Sequence, residues 1–262
     1  MNTIRAIPLI ALAWCTAAPA QILDGGCKVE SGARTLPLVE LYTSEGCDSC
    51  PPADRWLSRT FPATGPARAG VLAFHVDYWD RLGWPDRFAK HEWSQRQQDL
   101  ARATRSASVY TPQLTLQGRD LDALRGGDGA GEIGKAADAP ARATIALRAV
   151  RERGRIVVSA TAQVPQAPDR AGARIVVAYT DSGHVTDVKR GENRGVTLSH
   201  DHVVRALAKG GSADSSGAMS LAATLPVPEE SGKLPRIVAF VERETTREVL
   251  QSLELPLDLC GR

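Results

Sequence analysis

From residue 36 onward the chain alternates short apolar runs with amphipathic stretches. Residues 36–43 form an apolar run with glycine soon after it. Residues 51–61 carry a helical pattern with Pro51 and Pro52 near its first turn, and 71–76 form a second apolar run. This predicts a β-α-β unit. Residues 86–104, rich in Gln, Arg, Ala and Leu, read as a further helix, and 114–116 as a strand between Thr111-Pro112 and Gln117-Gly118. Strands and helices in alternation predict a mainly parallel sheet covered by helices on both faces.

Residues 126–141, glycine, alanine and aspartate around one short helical pattern, form a seam. Beyond it the helical period largely disappears. Residues 144–150, 155–164, 173–180, 219–226 and 236–242 read as strands, several with period-two alternation such as Ile156, Val158, Ala160 and Ala162 on one side. Their spacing predicts a β-sandwich. The expected fold class is thus an α/β domain over residues 24–138 followed by an all-β, sandwich-like domain over 142–260. Gly191-Glu192-Asn193-Arg194-Gly195 reads as a polar turn.

Composition changes this picture little. Apolar residues make up 43% of the 262 residues and the formal net charge is +2. That is ordinary globular sequence without a basic stripe, so electrostatics nominate no nucleic acid. The start of the chain is more informative. Arg5, the apolar stretch 6–18 and Ala18-Pro19-Ala20 fit a secretory signal over residues 1–20. Its apolar part is too short to span a bilayer comfortably, and no later segment has membrane-helix length. Trp14 stands before Cys15 where a lipidation signal wants a small residue. The expectation is a periplasmic or secreted protein without a membrane span.

Loss of the signal leaves four cysteines in an oxidising space. Cys27 and Cys260 sit at opposite ends of the mature chain, either free or paired as a structural disulfide. Closing so long a loop would contribute about 5 kcal/mol at most. Cys47 and Cys50 lie two residues apart in Gly46-Cys47-Asp48-Ser49-Cys50. Thiols at that spacing close a small ring, or attack a foreign disulfide and release it by intramolecular resolution. The same spacing suits an inert local disulfide or half a zinc site, although no second Cys or His cluster supplies the other ligands. No metal or cofactor is expected.

The stretch Val39-Glu40-Leu41-Tyr42-Thr43-Ser44-Glu45-Gly46-Cys47-Asp48-Ser49-Cys50 resembles the strand-to-helix entry of glutaredoxins, V-x-L-Y-T-x-x-G-C-x-x-C. Thr111-Pro112-Gln113-Leu114-Thr115-Leu116-Gln117-Gly118 is similar to their V-P-Q-V-F-I-N-G, whose proline is cis and faces the cysteine pair. Over nearly the whole mature chain the sequence resembles a family of exported bacterial proteins without assigned function. That family joins a thioredoxin-like domain to a β-rich one. The resemblance rests on Phe74-His75-Val76-Asp77-Tyr78-Trp79-Asp80, Leu82-Gly83-Trp84 and Val109-Tyr110-Thr111-Pro112-Gln113. It implies that the α/β domain is thioredoxin-like, and that the activity is thiol-disulfide exchange with protein or peptide substrates and an unknown redox partner. The Gly-Gly-Asp segment that helps glutaredoxins hold glutathione has an echo in Gly126-Gly127-Asp128, displaced by several residues.

In this reading Cys47 is the attacking thiol, solvent-reachable at a helix tip near free backbone N–H groups, and Cys50 resolves. Pro112 lies across from them, with Thr111 and Gln113 presenting polar groups to a peptide and Tyr78 and Trp79 forming a groove wall. Asp48 beside the nucleophile disfavours the thiolate. Glu40 is either a general base for the resolving thiol or a carboxylate paired with an arginine. His75 reads as a core histidine, and Trp84 as packing for a long connection. The alternatives are a non-catalytic binder of a peptide or partner, and a copper-handling protein using Cys47, Cys50 and His75.

Overall fold

The computed structural model describes residues 21–23, 26–124, 126–258 and 260. The expected signal, residues 1–20 with Cys15, lies outside them. The first half contains strands β1 (Gln21–Leu23), β2 (Gly26–Glu30) and β3 (Leu38–Thr43), helix α1 (Pro51–Thr60), β4 (Gly70–His75), a 3-10 turn (Asp80–Leu82), α2 (His91–Thr104), β5 (Gln113–Leu116), β6 (Arg119–Asp120) and α3 (Gly129–Asp138). The second half contains β7 (Thr144–Glu152), β8 (Arg155–Gln163), α4 (Ala167–Arg170), β9 (Ala173–Ser182), β10 (His184–Asp187), β11 (Thr197–His200), β12 (Val203–Ser212), β13 (Ala218–Pro226), β14 (Lys233–Arg243) and β15 (Val249–Pro256).

The expected fold class, an α/β thioredoxin-like domain followed by a separate all-β one, does not hold. The described chain is mostly β. The β3-α1-β4 unit forms, with β3 and β4 parallel. These strands then enter a single eight-stranded sheet in the order β15-β14-β9-β12-β4-β3-β5-β6, which draws on both halves of the chain. The cause is visible in β4. Every one of its residues is buried, so leaving its backbone unpaired on one side would strand N–H and C=O groups away from water. β12 supplies the partner: Val203 stands opposite Ala73, and Ala73 N–H donates to His202 O at 2.8 Å.

The two faces of this sheet are covered differently. On one, α2 brings Trp93 and Leu100 against Leu38, Tyr42, Leu72 and Phe74 of the first half and against Val176, Val238 and Phe240 of the second. On the other, α1 and α3 cover Val39, Leu41, Val71 and Ala73. Further along that face the antiparallel sheet β1-β2-β7-β8-β13 packs on Ile175, Val177, Ile237 and Ala239. Strands β7 and β8 alternate buried and exposed positions, as a sheet with one wet face should. A disulfide joins Cys27 to Cys260 at the rim of that core. β10 and β11 form a separate hairpin, and β11 packs on α1.

Candidate functional site

Two successive turns, closed by Cys47 N–H to Ser44 O at 3.2 Å and Cys50 N–H to Cys47 O at 3.3 Å, carry the chain from β3 into α1. They bring the two sulfurs together as a Cys47–Cys50 disulfide. The Thr111-Pro112 bond is cis. The Thr111 hydroxyl donates to Cys47 Sγ at 3.4 Å and accepts from the Trp79 indole N–H at 2.7 Å. Ser49 Oγ lies 3.5 Å from the same sulfur. Trp79 also closes against Gly46, where an added Cβ would stand 3.0 Å from Trp79 Cβ.

Two expectations about Cys47 are corrected. It is not solvent-reachable: Cys47 and Cys50 are both 0% exposed. The turn that carries it is tied to a segment far along the chain. In the loop between β10 and β11, Asn193 Nδ2 donates to both Glu45 O and Cys47 O at 2.9 Å, and Asp48 N–H reaches Glu192 Oε2 at 3.4 Å. Nor does the helix offer free N–H groups to the sulfur. α1 begins at Pro51, so its first two positions have no N–H, and the next two, Ala53 and Asp54, donate to Cys50 O. What meets the sulfur is hydroxyl, from Thr111 and Ser49.

Glu40 is not a base for the thiols. Side chains on β3 alternate between faces, and Glu40 shares the α2 face with Leu38 and Tyr42, whereas α1 covers Val39 and Leu41. Its carboxylate accepts from Arg96 Nε at 2.8 Å, inside a buried network in which Arg96 also bonds Glu242, and Glu242 bonds Arg247. Burial would push Glu242 up, but Arg96 and Arg247 hold it below the usual carboxylate range.

The proposed groove residues divide. Thr111 lies at the sulfur, and Trp79 reaches it only through the Thr111 hydroxyl. Gln113 is buried and committed, accepting from Gln97 at 2.8 Å and donating to Asp120 at 2.7 Å, and so presents nothing to a peptide. The Tyr78 hydroxyl donates to Gln97 at 3.1 Å, and burial pushes its pKa up to about 12. Trp84 donates to Glu45 Oε2 at 2.8 Å. Asp128, in the segment that echoes the glutaredoxin Gly-Gly-Asp, caps α3 by accepting from Gly131 N–H at 2.9 Å.

Beneath the turn lies a cluster that the sequence pattern did not reveal. His200 Nε2 is 3.4 Å from Glu45 Oε1, and its Nδ1 is 3.8 Å from Asp54 Oδ1. His75 Nδ1 meets Asp86 Oδ2 at 2.7 Å, and the two imidazole rings stand 4.8 Å apart. Burial alone would lower the His200 pKa, but the carboxylates of Asp54 and Glu45 outweigh it and raise it to about 10. Burial likewise raises Asp86, and the charge of His75 overrides it, leaving the carboxyl lowered. Among the described residues no group of three or more His, Cys, Asp or Glu side chains is arranged to hold a metal ion.

A family model described as "Protein of unknown function (DUF1223)" matches residues 38–242, from the start of β3 almost to the end of β14. The chain belongs to this family. Among solved structures it is similar to a crystal structure of an Agrobacterium tumefaciens protein, a structural-genomics target. The two are 26% identical with a TM-score of 0.59, over 86% of this chain and 96% of that one. It is also similar to HBP35 of Porphyromonas gingivalis, with 13% identity and a TM-score of 0.65 over 87% of this chain and 76% of that one, a likeness of fold alone. No curated protein matches the sequence. No helix among the described residues is long and apolar enough to cross a membrane.

Proposed function

We propose that this DUF1223 protein is an exported thiol-disulfide exchange protein, periplasmic or secreted, whose reactive group is the Cys47–Cys50 pair. The loop around Asn193 acts as its gate. The observation that carries this reading is the arrangement at Cys47 Sγ, where the Trp79 indole orients the Thr111 hydroxyl and that hydroxyl donates to the sulfur. A donor already aimed at sulfur stabilises a thiolate there once the disulfide is opened.

With the loop open, a substrate thiolate attacks Cys47 Sγ. The Cys47–Cys50 bond breaks, its electron pair leaves on Cys50, and a mixed disulfide forms. A second substrate thiolate then attacks the substrate sulfur of that mixed disulfide and releases Cys47 as thiolate, so the substrate is oxidised and the pair reduced. Run backwards, the same steps reduce a substrate disulfide, with Cys47 attacking and Cys50 resolving. Protein or peptide thiols and disulfides are the substrate class.

The complete burial of Cys47 favours a second reading, in which the pair is an inert staple of the β3-to-α1 turn. Substitution separates the two. In reduced protein, Cys50→Ser should trap a disulfide-bearing peptide as a mixed disulfide through Cys47, and Cys47→Ser should trap none. A native protein whose Cys47–Cys50 pair neither yields to dithiothreitol nor, once reduced, reacts with a small disulfide is stapled rather than reactive.

A further inference from the structure

The buried cluster under the cysteine turn has no part in the exchange steps above, yet it gathers three carboxylates and two imidazoles. Glu45, His75, Asp86 and His200 are each at most 5% exposed and Asp54 is 8% exposed. Burying ions costs several kcal/mol each unless they are fully paired and hydrogen-bonded. Pairing here is incomplete: Glu45 Oε1, His75 Nε2 and both ring nitrogens of His200 have no hydrogen-bond partner. His200 is therefore held by charge at 3.4 and 3.8 Å, not locked by a short directional bond. That is an arrangement in which a proton can move.

The link to the thiols runs through α1. Cys50 already has helical dihedrals, φ −77° and ψ −36°. Asp54, four residues on, donates its N–H to Cys50 O at 3.2 Å. Side chains at i and i+4 share a helix face, and the later one leans back toward the N-terminus. Asp54 Oδ2 accepts from the Thr43 hydroxyl at 3.0 Å, while Oδ1 faces His200.

We propose that Asp54 and His200 form a proton relay to Cys50, with Asp54 one helical turn on from Cys50 and His200 acting through it as a positioning residue. This rests on the exchange activity proposed above. When a substrate thiolate opens the disulfide, the electron pair goes to Cys50 Sγ. The Asp54 carboxylate accepts a proton from the His200 imidazolium and passes it to that thiolate, so that Asp54 ends as carboxylate again and His200 as neutral imidazole, which solvent then reprotonates. The reverse direction returns the Cys50 proton by the same path. The other groups facing His200 are Glu45 from the β3-α1 turn, Asp86 ahead of α2 and His75 from β4. All three carboxylates favour the imidazolium.

The test is the pH profile of reduction of the full chain by dithiothreitol, divided by the reagent's thiolate fraction. The wild-type rate should stay level through neutrality and fall above about pH 10, where His200 gives up its proton. His200→Gln should be at least tenfold slower at pH 7 and lose the alkaline fall, in line with general acid catalysis worth about 10²–10⁴. Asp54→Asn, which keeps the side-chain shape, should behave alike and serves if His200→Gln does not fold. A wild-type profile in both variants, or in Asp54→Asn alone where His200→Gln does not fold, overturns the relay and leaves the exchange activity standing. A wild-type protein inert at every pH overturns the exchange activity itself.

Discussion

Removing the amide of Asn193 tests whether the β10-β11 loop gates the disulfide. In Asn193→Ala the two bonds from Nδ2 to Glu45 O and Cys47 O disappear. Cys47 O keeps the Cys50 N–H, so the loss is about 1 kcal/mol per bond, or about 2 kcal/mol for closure of the loop. At about 1.4 kcal/mol per tenfold, the open population should rise roughly 25-fold. If opening and closing are fast relative to reaction with the thiol, the rate follows that population. The assay is reduction by dithiothreitol in native buffer, with freed thiols alkylated and located by peptide mass. The Cys27–Cys260 disulfide is the internal control. The reasoning is refuted if Cys47 and Cys50 are freed no faster than in the wild type, or if both disulfides accelerate equally, which would mean global loosening.

Arg96→Met should lower global stability by about 3–5 kcal/mol in denaturant titration, because it leaves Glu40 and Glu242 buried without their shared cation. Thermal stability should also depend on pH through His200. Its folded-state pKa is raised from 6.5 to about 10, so the stabilising contribution is complete below about pH 6.5 and is lost as pH rises through about 10. Melting temperatures should decline from pH 7 to 10, and His200→Gln should flatten that decline. Replacing Cys27 and Cys260 together by Ala should cost about 2–5 kcal/mol in denaturant titration while leaving the rate of Cys47–Cys50 reduction unchanged.

The sequence by itself determined the local elements. An apolar run, a Pro-Pro helix start and a second apolar run specify β3-α1-β4 because periodicity and proline geometry act within a few residues. The alternation of residues 144–163 specifies β7 and β8 for the same reason. It also placed two thiols at a spacing that closes a ring, and the resemblance to glutaredoxins put Thr111-Pro112 in a candidate site.

Tertiary structure decided everything that depends on partners distant in the chain. Whether β4 ends a domain or continues a sheet depends on Val203, which no periodicity near residue 73 reveals. That pairing is what joins strands from both halves of the chain in one sheet. Glu40 faced a choice between thiol and arginine that only the position of α2 fixed. The Cys47 sulfur looked like a helix-tip nucleophile from its neighbours in sequence, yet it is buried, and Asn193, 146 residues away, holds the Cys47 carbonyl. His200 came to lie under the same turn through β11 packing on α1. Sequence patterns record what each segment buries, but not against which other segment, and the chemistry of this site lies in those long-range contacts.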